Sequence, residues 1–375
     1  MRYYIIAGEA SGDLHGSNLM KALYEQDPEA EIRFWGGDLM RAVGGTLVKH
    51  YKDLAFMGFV EVLQNLKTIL KNISFCKKDI EGFKPDAIIF IDYPGFNMRI
   101  AKWAKERHIA THYYISPQIW AWKEGRIKAI KRDVDYMYVI LPFEKEFYEI
   151  KHGYAVQFVG HPLIDEIEDF RLKYTDDFRV RHRLDDRPII ALLPGSRKQE
   201  ISKLLTEMLS VTNNYPQYQF VIAGAPGQEA DFYKQFIKSN NCSFIFRETY
   251  ALLNVAHAAL VTSGTATLET ALFKVPQVVL YKGSPISYAI AKRIIKLRYI
   301  SLVNLIMDAD VVVELIQSDC NAKRIEQEFL KITEGASRAK MLRNYDLLID
   351  KLGGKGASMQ TAKAIIENLS LTFRK

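Results

Sequence analysis

Short, near-continuous apolar runs alternate with helix-forming stretches along almost the whole chain, and that alternation leaves few folds open. In the first half the runs are Tyr3 to Ala7, Ile32 to Trp35, Ala87 to Ile91, His112 to Ile115, Tyr136 to Ile140 and Val156 to Val159. In the second half they are Ile189 to Leu193, Phe220 to Ala223, Ser243 to Phe246, Ala259 to Val261 and Val278 to Tyr281. A strand that is apolar on both faces must be covered on both faces. The pattern therefore predicts parallel sheets flanked by helices, the doubly wound α/β plan. A chain of 375 residues is longer than one core usually serves, so two such domains are expected. The charged, strand-poor stretch from Asp165 to Asp186 is expected to hold the break. That gives domains over 1–168 and 169–345, with a helical tail, 346–375, crossing back to brace the first.

The bulk properties narrow the function. With 48% hydrophobic and 25% charged residues the chain reads as a soluble globular protein, and no apolar run is long enough to span a bilayer. Met1 to Glu9 reaches an acid too soon for a signal peptide and reads as a first strand. Cys76, Cys242 and Cys320 stand apart, as in a reducing compartment; they suggest neither a disulfide framework nor a metal site. The net charge of +7 favours an anionic partner such as a phosphate ester or acidic lipid. No basic run interleaved with aromatics singles out nucleic acid, which is not expected.

In doubly wound sheets ligands gather beyond the carboxyl ends of the strands. Several chemistry-bearing loops follow strands here. Ser263-Gly264-Thr265 ends an apolar run and opens a helix from Ala266, which would aim backbone N–H groups and a positive helix end at one point, suited to a diphosphate. Glu269, a turn further on, could reach ribose hydroxyls. Gly195-Ser196-Arg197 follows Leu193; the spacing is not that of a P-loop, but Arg197 can fork onto phosphate oxygens. Asp92, at the end of Ala87 to Ile91 and before Tyr93-Pro94, is placed for general-base work. Gly8-Glu9-Ala10-Ser11-Gly12-Asp13 is either a tight turn with Asp13 as helix cap or a backbone approach to substrate. Gln118, Trp120, Trp122 and Lys123 offer aromatic and cationic surface for a sugar phosphate, or else an apolar core. His161 either donates to substrate or ties a hinge loop.

The segment from Phe56 to Phe75 carries Phe59, Leu63, Leu66, Leu70 and Ile73 at helical spacing, with Lys67, Lys71, Lys77 and Lys78 beside them. It reads as a core-facing helix or as an interfacial helix on anionic lipid.

These motifs resemble one family. Gly8 to Asp13, Asp92-Tyr93-Pro94 with Phe96-Asn97, Ser116-Pro117 with Trp120-Ala121-Trp122, Leu141-Pro142-Phe143-Glu144, Gly160-His161-Pro162, Leu193 to Arg197 and Ser263 to Ala266 are similar, in the same order, to lipid-A-disaccharide synthases. The resemblance implies a GT-B fold, two Rossmann-like domains facing a cleft. It implies an inverting glycosyltransferase that joins UDP-2,3-diacylglucosamine to 2,3-diacylglucosamine 1-phosphate (lipid X) through a β-1,6 bond, with no cofactor or metal. It implies work in the cytoplasm, peripherally at the inner membrane of a Gram-negative bacterium and on its anionic lipids, and it leaves room for a homodimer. By resemblance Asp92 and Arg197 are catalytic. Asn304 maps to the family's nucleotide site, and Gly195, Ser196, Arg197, Ser263, Gly264, Thr265 and Glu269 are expected to hold the nucleotide with it. Glu9, Ser11, Gln118, Trp120, Lys123 and His161 are the residues expected to meet the acceptor, and Phe59, Leu63, Leu66 and Leu70 those expected to meet the membrane. The chain departs from the family at Val303, where Pro is usual, at Met307 to Asp310, where a Gly-Arg-Glu run is usual, and at Gly95, where an acid is frequent. A UDP-sugar 2-epimerase of the same two-domain plan and a two-lobed sugar-binding protein are the rival readings.

Overall fold

The computed structural model describes residues 1–54, 66–225, 228–237, 241–284, 288, 293 and 297–372. The chain divides into two units, Met1–Pro162 with Leu352–Lys375, and Leu163–Lys351.

In the first unit the strands are β1 (Arg2–Ala7), β2 (Glu31–Gly36), β3 (Thr46–His50), β4 (Ala87–Ile91), β5 (Ala110–Tyr114), β6 (Tyr136–Val139) and β7 (Gln157–Phe158). They form one sheet in the order β3-β2-β1-β4-β5-β6-β7, parallel throughout. Alternate residues feed opposite faces. Tyr4, Ile6, Ile88 and Phe90 pack with Ile80 of the helix Leu66–Phe83 and Ile100 of the helix Pro94–Lys105. Tyr3, Ile5, Ile89 and Ile91 pack with Leu19 and Leu23 of the helix Ala10–Gln26 and with Ala362, Ile365 and Leu369 of the helix Ala357–Thr372. The tail thus completes the core of the first unit, and it joins that unit at Leu352 rather than at 346.

The second unit contains β8 (Ile189–Leu193), β9 (Gln219–Gly224), β10 (Cys242–Phe246), β11 (Ala256–Thr262), β12 (Gln277–Tyr281) and β13 (Val313–Ile316), parallel in the order β10-β9-β8-β11-β12-β13. In each sheet the winding reverses at one place, between β1 and β4 and between β8 and β11. Such a switch point leaves a crevice outside the strands' carboxyl ends.

The charged stretch expected to be a linker is instead folded. The helices Pro162–Lys173 and Phe178–Arg181 bury Leu163, Ile164, Ile167 and Phe178 and expose Asp169, Arg171 and Lys173. The break lies at Pro162/Leu163 rather than at 168/169.

The amphipathic segment divides as well. Phe59 and Leu63 lie outside the described residues, and Leu66 opens the helix Leu66–Phe83. Ile73 is not on a lipid-facing stripe: with Cys76 and Ile80 it is buried in the core, and Ile69 packs against the same cluster. Leu70 is 56% exposed and Phe75 49%, beside exposed Lys67, Lys71 and Lys78. Among the described residues no helix is long and apolar enough to cross a membrane.

Candidate active site

At the switch point of the first sheet, β1 runs into the Gly8 turn and β4 into Asp92. A Cβ on Gly8 would lie 2.3 Å from the Tyr93 ring, so only glycine lets these two strand ends close together. Asp92 and Tyr93 are consecutive left-handed residues, φ 43° and 48°. Each such non-glycine conformation costs roughly 1–3 kcal/mol and persists only where its surroundings over-determine it. They do so here. The Asp92 carbonyl accepts from the Asn97 amide at 2.7 Å and from the Tyr113 hydroxyl at 2.6 Å. Pro94 then opens the next helix at its first position, where a missing N–H is harmless.

The turn leaves the Asp92 carboxyl partly buried beside Glu9. Burial first, and the negative charge of Glu9 second, push its pKa up to about 6, while the Tyr93 N–H works against the rise. Glu9 and Ser11 are exposed at the start of the helix Ala10–Gln26. Asp13 caps a neighbouring helix, not its own. Its carboxylate accepts from the N–H groups of Gly37 at 2.7 Å, Leu39 at 3.1 Å and Met40 at 3.1 Å, at the start of the helix Asp38–Val43. Such a cap is worth about 1 kcal/mol.

The loop after β5 hangs on one buried carboxylate. Glu144 accepts from the Ser116 hydroxyl at 2.5 Å, the Trp120 indole at 3.1 Å and the N–H groups of Ile140 and Leu141 at 3.2 and 3.0 Å. Burial nonetheless raises its pKa. Trp120 is therefore held from within, its ring edge-on to Phe143 at 4.9 Å. The open aromatic face belongs to Trp122, 48% exposed, with the Lys123 ammonium 4.1 Å from its ring centre; Gln118 and Lys123 are exposed too. His161 is not offered to a ligand. It is 5% exposed, its main-chain N–H bonds to the Leu352 carbonyl at 3.0 Å, and burial, then the nearby His15, push the ring's pKa down to about 3. His108 and His112 stand four apart, but His112 is buried in β5 with Nδ1 2.9 Å from the Tyr138 hydroxyl, so the spacing makes no metal pair.

At the switch point of the second sheet lies a cavity of about 270 Å³. It is lined by Gly195 and Ser196 after β8, Gly224 after β9, and Ser263, Gly264, Thr265 and Glu269 after β11. Gly195 has φ 103°, and a Cβ there would sit 2.4 Å from a Glu200 carboxylate oxygen, so the loop needs glycine. Glu200, which sequence reasoning missed, lines the cavity and accepts from the Thr262 hydroxyl at 3.1 Å. Ser263 has both donors committed, its hydroxyl to the Ile300 carbonyl at 2.9 Å and its N–H to the Leu280 carbonyl at 3.0 Å. The donors left for a ligand are the first N–H groups of the helix Thr265–Leu272, which have no acceptor within the helix. Arg197 is exposed at the N-cap of the helix Lys198–Leu209, next to the lining but not part of it.

Asn304 does not reach the cavity. It is 1% exposed and its amide is fully used: it donates to the Val312 carbonyl at 2.9 Å and to Glu314 at 3.0 Å, and accepts from the N–H groups of Val311 and Val312, each at 2.9 Å. It pins the approach to β13.

Known proteins share this plan. The sequence model of the lipid-A-disaccharide synthetase family matches residues 3–367. The lipid-A-disaccharide synthase of Syntrophus aciditrophicus is 41% identical over 368 residues, covering 96% of this chain and 95% of that protein. Among solved structures, the S. aureus MnaA-UDP co-structure superposes with a TM-score of 0.70 at 13% identity, over 100% of this chain and 97% of the other. A UDP-N-acetylglucosamine 2-epimerase structure from Listeria monocytogenes gives 0.68 at 12%, over 100% and 96%. The structural likenesses establish the two-domain GT-B plan.

Proposed function

The chain belongs to the lipid-A-disaccharide synthetase family, the hexosyltransferases of lipid A biosynthesis, and from that premise we propose how its residues divide the work. The donor is UDP-2,3-diacylglucosamine and the acceptor is lipid X. The observation that carries the reading is the second-unit cavity, where glycine-bounded loops, helix-opening N–H groups and the carboxylates of Glu200 and Glu269 meet at a switch point. The diphosphate sits on Gly195, Ser196, Gly264 and Thr265, with the exposed Arg197 guanidinium reaching its oxygens, and Glu269 accepts from the ribose hydroxyls. As the bond between C1 and the phosphate oxygen breaks, charge grows on UDP, and preorganised N–H donors and Arg197 stabilise it.

Asp92 takes the proton from the acceptor 6-hydroxyl as the bond from O6 to C1 forms. Attack opposite the leaving UDP inverts the α-linked donor to a β product. A base with a pKa near the working pH transfers protons most efficiently, and burial and Glu9 bring Asp92 to about 6. Glu9, Ser11, Gln118, Trp122 and Lys123 are exposed for the acceptor sugar and its phosphate. Leu70 and Phe75, with Lys67, Lys71 and Lys78, rest on the anionic lipid of the inner membrane, where the substrates' acyl chains reside.

The test is product identity. Incubation with UDP-2,3-diacylglucosamine and lipid X yields a disaccharide 1-phosphate and UDP, read by mass spectrometry. Isomerised UDP-sugar without a disaccharide supports the epimerase reading instead.

A further inference from the structure

Glu269 is one end of a three-residue chain that the chemistry above does not use. Tyr250, on the helix Thr249–Val255, brings its hydroxyl 3.4 Å from Glu269 and 2.9 Å from Glu166, on the helix Pro162–Lys173. Phe170 and Phe273 pack against Tyr250 in this half-buried chain, with ring centres 5.6 and 5.2 Å from that of Tyr250. The second oxygen of Glu166 is buried without a hydrogen-bond partner. The charged groups on the surrounding elements are engaged elsewhere. Arg171 lies over the Phe273 ring at 5.1 Å, Lys274 pairs with Asp346 at 2.6 Å, and Glu200 is taken by Thr262. No cation therefore offsets the two carboxyls among these described neighbours.

A tyrosine hydroxyl carries one proton and can donate to only one carboxylate at a time. For Tyr250 to bond both glutamates, one of them must bring a proton of its own. The shorter distance gives the Tyr250 proton to Glu166. Glu269 then holds the extra proton and donates to the Tyr250 oxygen. Two buried like charges at this separation would repel strongly, which favours the shared-proton arrangement. Burial and then Glu166 push the pKa of Glu269 up to about 7, and burial raises that of Glu166.

We infer that Tyr250 and Glu166 are positioning residues for the nucleotide: they hold Glu269 in a proton-sharing chain, so that occupation of the cavity by a ribose is coupled to release of one proton. This rests on the reading that the cavity takes the UDP ribose. A vicinal diol presents two O–H donors. They stabilise ionised Glu269, which accepts from both, and displace its proton to solvent. No other bond changes.

The sign follows from linkage. A ligand that prefers the deprotonated group binds more tightly as pH rises, by up to about tenfold per unit below the pKa, and then levels off. UDP affinity, measured by calorimetry on the full chain from about pH 6 to about pH 8, is expected to rise about tenfold beyond the change caused by the phosphate itself. Glu269→Gln supplies that phosphate background. Glu166→Gln removes the repelling charge, so Glu269 ionises at lower pH. It should bind UDP several-fold more tightly than wild type at about pH 6 and equally at about pH 8. Tyr250→Phe removes the oxygen that accepts the Glu269 proton and should move the rise to lower pH. A merely structural role would weaken both variants with unchanged profiles. Profiles of Glu166→Gln and Tyr250→Phe parallel to wild type, with Glu269→Gln impaired, overturn the proton-sharing chain alone. Unchanged affinity and profile in Glu269→Gln overturn the ribose assignment and this inference together.

Discussion

The Asn97 side-chain amide donates to the main-chain oxygen of Asp92 at 2.7 Å, from a site with no solvent exposure. That bond, with the Tyr113 hydroxyl at 2.6 Å, holds the left-handed turn that presents the Asp92 carboxyl. Replacing Asn97 by Ala leaves a buried carbonyl with one donor fewer and removes the brace on a strained backbone. A stability loss of about 1–3 kcal/mol is expected, with a fall in kcat larger than the change in KM. Urea melts and steady-state kinetics of Asn97→Ala check both.

The Asp92 carboxyl works as a base only when ionised. Because its pKa stands at about 6, kcat/KM should fall on the acid side with a midpoint near that value. Glu9 contributes to the rise, so Glu9→Gln should move the limb to lower pH. A limb that stays in place in Glu9→Gln, or moves up, contradicts the placement of these two carboxyls.

Glu269→Ala should weaken UDP binding by about 1–3 kcal/mol, the usual loss when hydrogen bonds to a charged group are removed. Asn304→Ala should behave differently. Its amide serves the Val311 and Val312 loop, so thermal stability should drop before any effect on UDP. Calorimetry and melting temperatures of the two variants separate the roles.

On the helix Leu66–Phe83, exposed Leu70 and buried Ile73 give opposite expectations. Leu70→Ser should lower binding to vesicles of anionic phospholipid and leave the melting temperature nearly unchanged. Ile73→Ser buries a hydroxyl in the core and should destabilise the fold by at least about 2 kcal/mol. Unaltered vesicle cosedimentation by Leu70→Ser would remove this helix from the membrane surface.

The central strands were legible because they are buried on both faces. β4 and β8 are apolar at every position, and a bounded apolar run of five residues has the usual length of a strand rather than of a helix. β3 and β13 escaped notice because they are edge strands. Thr46–His50 and Val313–Ile316 are only partly covered and carry Lys49 and Glu314, which blur the apolar signal. The helices after Pro162 were hidden by charge density, since few buried apolar residues among many charged ones look like a linker.

The site divides along the same line. Gly195, Ser196, Ser263, Gly264, Thr265 and Glu269 follow strands in sequence and line one cavity. Glu200 and Tyr250 reach the same region from helices, through contacts with no sequence pattern. Asn304 and Trp120 have the right chemistry for a ligand, but each spends it inside the protein, as buried polar groups must, and the His161 ring is buried.

The division of labour between the two units is tested most directly by Asp92→Ala, assayed for turnover with both lipid substrates and, on the same preparation, for UDP affinity by calorimetry. A base at Asp92 and a nucleotide held wholly by the second unit require kcat to fall by at least about a hundredfold while the UDP dissociation constant stays within about twofold of wild type. Near-normal turnover in a folded Asp92→Ala protein, or a loss of UDP binding equal to the loss of rate, would contradict that division.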